Sequence, residues 1–125
     1  MYFNTGMKKE LELVAEFNKK VGSPVLTSPT LIDEERALFR HSLISEEVTE
    51  YKEGIINKDL ENIAKELADI LFATYGTILE HGLQDKMPEI FAEVHRSNMS
   101  KDYGPHKAVK GLNYTPADIK SILSK

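Results

Sequence analysis

Glu46-Glu47-Val48-Thr49-Glu50, then fifteen residues, then Glu66-Leu67-Ala68-Asp69 is the stretch on which the reading of this chain turns. A helix advances about 100° per residue, so positions three apart lie one turn along on nearly the same face. Glu47 and Glu50 therefore share a face of one helix, and Glu66 and Asp69 share a face of a second. Between them Asn57-Lys58-Asp59 reads as a helix end followed by a helix start. The resulting hairpin brings the two carboxylate pairs opposite each other. Four carboxylates converging without cation partners repel one another and favour a hard divalent cation, Mg²⁺ first, with Mn²⁺ able to substitute.

A single E-x-x-E or E-x-x-D step is by itself an ordinary solvated helix face. The neighbours of Asp69 argue for more. Leu67, Ala68, Ile70, Leu71, Phe72, Ala73, Tyr75, Ile78 and Leu79 make the second helix apolar almost all round, the pattern of a buried helix. A carboxylate there is costly to ionise without compensation, so Asp69 is expected to be buried and to need a metal.

Working outward, Asp33 is expected to cap the first of these helices, with Glu34 and Glu35 in its first turn. Ala37, His41, Ile44, Val48, Tyr51 and Ile55 read as its core stripe, which makes His41 a core or interface histidine. Leu43, Glu47, Glu50 and Gly54 form a second face beside that stripe. Arg40 lies about two turns before Glu47, placed to pair with a carboxylate or to meet a phosphate. Asp59 caps the second helix, which is expected to stop at Gly82. Its Ala73, Gly76 and Thr77 form a small-residue seam suited to close helix contact, within the chain or between subunits.

Upstream, an amphipathic helix is expected from an N-cap at Thr5 to a stop at Gly22, with Met7, Leu11, Val14, Phe17 and Val21 on its apolar side. Ser23 to Pro29 carries two prolines and reads as a loop. Downstream, a helix from about Met87 to Asn98 turns Ile90, Phe91 and Val94 inward. After a loop over Asp102 to Tyr114, Thr115-Pro116 is expected to start a short terminal helix. The fold class is therefore all-α, a bundle of four main helices plus a short C-terminal helix, completed by oligomerisation. Residues 1–125 read as a single domain.

A net charge of -4 disfavours a nucleic-acid surface as the main role. The absence of cysteine excludes thiolate metal ligands and disulfides. The N-terminal residues lack the apolar core of a signal peptide, and no apolar run approaches the roughly 20 residues of a membrane span, so a cytoplasmic location is expected. Beyond the acids, Asn98, Lys101, Lys107 and Lys110 supply an amide and three point charges suited to phosphate oxygens. The lysines read equally as exposed solubilising residues. There is no G-x-x-x-x-G-K-S/T loop, so any phosphate binding has to be led by the metal.

E-E-x-x-E, then E-x-x-D, then N-x-S-K and a late K-G-x-N-Y-x-P tail resemble the all-α nucleoside triphosphate pyrophosphohydrolases, the MazG-like and phosphoribosyl-ATP pyrophosphohydrolase-like group. The resemblance runs from the Phe17 region to the Pro116 region. It implies Mg²⁺-dependent hydrolysis of a nucleoside triphosphate to monophosphate and pyrophosphate, in a helical bundle of associated subunits, here a homodimer or homotetramer. By motif position it implies Glu47, Glu50, Glu66 and Asp69 as metal ligands, with Glu46 as an accessory carboxylate. Glu46 or Glu47 would accept the proton of the attacking water. Asn98 and Lys101 would hold substrate, with Arg40, Lys107 and Lys110 as further candidates. Phosphoribosyl-ATP and dUTP are the alternative substrates, because longer relatives carry tandem copies and substrate range does not transfer to a short single domain.

Two rival readings differ in kind. A ferritin-like di-iron bundle needs Glu-x-x-His on two helices, and no histidine occupies those places here. A non-catalytic nucleotide-binding or structural oligomer would leave the acids inert, and turnover with Mg²⁺ and a nucleotide panel separates it from an enzyme.

Overall fold

The structure, a computed structural model, describes residues 2–125, with side chains from residue 7 onward. The described residues are all-α. The helices are α1 (Tyr2–Val21), α2 (Glu34–Ile56), α3 (Leu60–Glu80), α4 (Met87–Met99) and a short α5 (Ile119–Leu123). The side chain of Thr5, the expected cap of α1, lies outside the described residues. No described helix is long and apolar enough to cross a membrane. The chain divides into two compact units, Met1–Gln84 and Asp85–Lys125.

In the first unit α2 and α3 form the expected hairpin, and α1 packs on α3. Asp33 caps α2 by accepting from the Arg36 N–H at 3.2 Å, which satisfies a donor the helix itself cannot. The α2–α3 corner turns on Lys58, the one non-glycine described at positive φ (53°). The Asp59 N–H reaches back to the Gly54 carbonyl (3.0 Å), and the Asp59 carboxylate then caps α3 at the Asn62 N–H (3.1 Å). At the far end of α3, Gly82 takes φ 67°, and Leu83 N–H closes on the Ile78 carbonyl at 3.0 Å. A side chain at Gly82 would collide with the Ser28 carbonyl, so the stop also seats the loop from Ser23 to Pro29. Two backbone bonds hold that stretch on α3, Leu26 N–H to Leu79 O and Thr30 N–H to His81 O.

The apolar core of this unit is small. Leu11, Val14 and Leu79 are buried, with Met7, Ala15, Val25, Tyr75 and Ile78 packed around them. Each fully buried aliphatic side chain contributes about 1.5–3 kcal/mol. Three expected faces are rotated from their predicted places. On α1 the buried line continues from Val14 to Asn18, while Phe17 and Val21 stay largely exposed. On α2 the stripe of Ala37, His41, Ile44, Val48, Tyr51 and Ile55 does not face α3: His41 is exposed, as are Val48 and Ile55. The inward face lies one residue earlier, through Arg40, Leu43, Glu47 and Gly54. The reason is charge pairing, because Arg40 on that face finds Glu80, Thr77 and the Ala73 carbonyl on α3. On α3 itself Leu67, Leu71 and Phe72 remain exposed, so the chain alone does not bury the helix all round.

The second unit is tied by Arg96. Its guanidinium takes Glu93 in two bonds of 2.8 and 2.9 Å, and reaches Thr115 Oγ1 (2.6 Å) and the Pro116 carbonyl (3.0 Å). Arg96 and the Asp118 N–H hold the Glu93 carboxyl down to about 2. Thr115 is thereby a partner of α4 and not a helix cap. The terminal helix starts later, at Ile119, capped by Asp118 on the Ser121 N–H at 3.1 Å. Phe91 and Val94, expected inward, are exposed. The buried residues here are Ser97, whose hydroxyl donates to the Thr115 carbonyl at 2.8 Å, and Ile122 of α5.

Candidate active site

The hairpin brings the acids together. Carboxylate oxygens of Glu47, Glu66 and Asp69 lie within 4.8 Å of one another. Gly54 makes this approach possible, since a Cβ there would stand 3.2 Å from Ile63 and from Asn62 across the helix pair. Glu66 is only 3% exposed. One oxygen of Glu66 and one of Glu47, Oε2 in each case, are buried without any hydrogen-bond donor. An acceptor left unpaired in the interior costs free energy, more so when charged. A ligand of high positive charge is the natural complement, and three carboxylates converging on one point are a hard-cation donor set.

The electrostatics agree. Burial, and then the neighbouring Glu66 and Glu50 carboxyls, push Glu47 up to about 7. Glu50 is also raised, by Glu66 first. It therefore belongs to the same electrostatic group, although its oxygens stand outside the three-carboxylate cluster. Burial pushes Glu66 up too, but Glu47, Glu50 and the Lys65 ammonium together hold it below its ordinary value. The cluster thus shares protons, and its titration belongs to the group and not to one residue.

These shifts set a pH dependence. Between about 4.5 and about 7 the unfolded chain has lost the Glu47 proton that the folded chain keeps. Stability therefore falls as pH rises through that window. The opposite contribution of Glu66, lowered in the fold, is lost only as pH falls below its ordinary range. Urea unfolding of the metal-free protein should show a decline of about 1–2 kcal/mol between those pH values, after allowance for solvent screening. The decline should be smaller in Glu47→Gln, where Glu50 alone remains raised, and a flat wild-type profile would contradict the clustering of these acids.

Asp69 does not stand as expected. Its side chain is 35% exposed, and Lys65 pairs with it at 2.7 Å and with Glu66 at 3.4 Å. The cluster has a cation partner after all, one turn back on α3. Lys65 is itself exposed and flexible, so it screens the acids without filling the space between them. The case for a metal passes from Asp69 to Glu66 and Glu47. Glu46 is exposed on α2, next to the cluster in sequence.

Arg40 takes the carboxylate option. Buried at 6% exposure, it sits 3.1 Å from Glu80 Oε2 and donates to Thr77 Oγ1 (3.1 Å) and the Ala73 carbonyl (2.9 Å). The Ala73–Gly76–Thr77 seam makes room for this guanidinium: a Cβ on Gly76 would lie 2.5 Å from Arg40 Nη2. Glu80, 1% exposed, also takes Arg36 at 2.7 and 2.9 Å. Sequence reading missed Glu80, although a charge closing the apolar run Ile78-Leu79, opposite Arg36 and Arg40 at a four-residue step, was the available signal.

Asn98, Lys101, Lys107 and Lys110 all belong to the second unit. Asn98, Lys107 and Lys110 are exposed and Lys101 is half-buried. Lys110 stacks its ammonium 5.1 Å from the Tyr114 ring centroid.

Comparison with known proteins adds one positive finding. The model of the family described as phosphoribosyl-ATP pyrophosphohydrolase matches residues 14–98, more than half of the chain. The matched span contains every acid of the cluster and ends before Lys101. No curated protein matches the chain.

Proposed function

The chain belongs to the phosphoribosyl-ATP pyrophosphohydrolase family, pyrophosphohydrolases of nucleotide-type substrates, and on that premise we propose that it hydrolyses a nucleoside triphosphate to the monophosphate and pyrophosphate. The observation that carries this reading is the pair of buried, donor-less oxygens on Glu47 and Glu66 within the carboxylate cluster. Glu47, Glu66 and Asp69 would hold Mg²⁺, with Glu50 beside them and Mn²⁺ an acceptable substitute. Bound there, the cation would neutralise polyphosphate charge and polarise a phosphoryl oxygen.

The residues themselves have separable tasks. Glu46 or Glu47 is suited to accept the proton of the attacking water. As the water oxygen bonds to phosphorus, the bridging P–O bond breaks and the pyrophosphate leaves with the electron pair. The proton on the carboxylate then returns to solvent. No cysteine exists to serve as a nucleophile, and no serine sits in an activating motif, so the hydrolysis is direct. Chromatography of the products tests the reading: monophosphate and pyrophosphate should appear in equal amounts from the first time point. Diphosphate with orthophosphate would mean a terminal phosphatase and would defeat it.

Lys101, with Asn98, Lys107 and Lys110, is proposed to meet phosphate charge, and Lys101→Ala should then raise the nucleotide KM several-fold. An unchanged KM returns Lys101 to the surface. A homodimer or homotetramer is proposed as well. What supports it is the exposed apolar surface of α1 to α3, including Leu13, Leu38, Val48, Ile55, Leu67 and Leu71, against a core of few residues. Light scattering at micromolar concentration should exceed the mass of one chain.

The substrate reading favours a free nucleotide in a cytoplasmic pool over a polymer, because the net charge of -4 repels nucleic acid. Phosphoribosyl-ATP and dUTP are the competing small substrates, and a panel of ribo- and deoxyribonucleotides separates them.

A further inference from the structure

Lys65 places its ammonium 2.7 Å from Asp69 Oδ2 and 3.4 Å from Glu66 Oε1. Among the described residues it is the one cation paired with an acid of the cluster, since Arg40 is committed to Glu80, Thr77 and the Ala73 carbonyl. Helix electrostatics alone does not choose this arrangement. Glu61 stands exposed four residues before Lys65 on α3, in the order that favours an ion pair, whereas Lys before Asp is the weaker order. The ammonium nevertheless turns to Asp69 and on to Glu66, whose side chain is only 5% exposed. The clustered negative charge draws it there.

The oxygens of the cluster are thereby divided. Asp69 Oδ2 and Glu66 Oε1 meet the ammonium, while Glu66 Oε2 and Glu47 Oε2 are buried with no donor. A divalent cation held by those inner oxygens and by Asp69 competes with Lys65 for the same carboxylate charge. The lysine side chain is 69% exposed, and an ion pair so open to water is readily given up. Three carboxylates around one divalent cation still leave a negative balance, which disfavours a polyphosphate. An ammonium tethered at the same place by a flexible four-carbon stem removes that balance, because it can exchange carboxylate oxygens for phosphate oxygens.

Resting on the reading of the acids as a metal-dependent nucleotide hydrolase, we propose that Lys65 is the exchangeable counter-ion of this site. It holds Asp69 and Glu66 while no metal is bound, and turns to the polyphosphate once a divalent cation takes over those carboxylates. Lys65 is then a substrate-binding residue carried by the same helix as two of the acids. Its signature is a pair of opposed effects: it weakens binding of the cation alone and strengthens binding of the phosphates.

Two titrations without turnover test this, both at physiological ionic strength, where charges beyond about 8 Å are screened. In the first, Mn²⁺ binding to the nucleotide-free protein is followed by electron paramagnetic resonance. Lys65→Met should tighten it by about two- to fivefold, the worth of an exposed ion pair. Lys52→Met, which removes the same charge from an exposed lysine of α2 with no ion pair, should leave it unchanged. In the second, inorganic pyrophosphate is titrated calorimetrically at saturating Mg²⁺. Lys65→Met should weaken it by about tenfold, and Lys65→Arg should keep most of the affinity. The nucleotide KM of Lys65→Met should rise by a similar factor, with kcat changed less. Unchanged Mn²⁺ affinity in Lys65→Met overturns the proposal and leaves an ordinary surface pair. Tighter Mn²⁺ with unchanged pyrophosphate binding overturns it too, since Lys65 would then only compete with the metal. Weaker binding of both would mean that Lys65 positions the acids instead. Absence of turnover with every nucleotide would defeat the hydrolase reading, while the two titrations would still decide the role of Lys65.

Discussion

Glu66→Gln is expected to lower nucleotide turnover by about a hundredfold or more while leaving the helical content intact. Glu66 is the most buried acid of the cluster, and one of its oxygens has no donor in the protein. Glutamine keeps the shape, removes the charge, and puts an amide donor among neighbouring carboxylates. The metal-free fold should change little in urea midpoint, because the relief of repulsion among the acids is offset by loss of the Lys65 contact and of the bonds that favour the charged form. Activity should collapse, since the remaining carboxylates no longer supply the charge a divalent cation needs. Asp69→Asn should cost activity too, but less, because Asp69 is partly solvated and already shares Lys65. Activity must fall while stability stays nearly level. Near-normal turnover of Glu66→Gln at saturating nucleotide would remove the metal assignment, and a large drop in stability would mean Glu66 is structural.

The acids were legible because their spacing alone puts each pair on one helix face. The hairpin was legible because Asn57-Lys58-Asp59 and Gly82 carry their own backbone signals. What periodicity could not supply was the rotation of each helix about its axis. On α2 two stripes one residue apart compete, and hydrophobic counting favours Ile44, Val48 and Ile55. The structure turns the other stripe inward, because Arg40 finds Glu80, Thr77 and Ala73 across the helix pair, and pairing between distant residues leaves no periodic trace. Asn18 was missed for the same reason. A polar residue four places after Val14 looks like a break in an apolar stripe, and only burial shows that it continues the stripe. Lys65 is the reverse case. Its four-residue step to Asp69 was visible in the sequence, and it means that partial neutralisation of the acids is built into α3.

Glu80→Ala is expected to be the most destabilising single change in the chain, at about 3–5 kcal/mol. Glu80 is the sole carboxylate paired with both Arg36 and Arg40 among the described residues, and burial already pushes the Arg40 guanidinium down from its ordinary value. Removing the acid leaves Arg40 buried beside Gly76 with its charge uncompensated. Thermal melting should fall by roughly 10 °C or more for a protein of this size. Glu80→Gln should fall less, since the amide oxygen still accepts one arginine donor. Arg40→Met in the Glu80→Ala background should recover part of the loss, because a buried pair replaced at both ends by apolar groups can approach neutrality. The consequence for the site follows from position. Arg40 lies about two turns from Glu47 on α2, and its bonds to Ala73 and Thr77 fix that helix against α3, hence Glu47 against Glu66. Glu80→Ala should therefore weaken Mn²⁺ binding without touching a ligand, and the double variant should restore stability more fully than it restores metal affinity. Equal recovery of both would mean that the ion pair contributes only stability and does not position the acids.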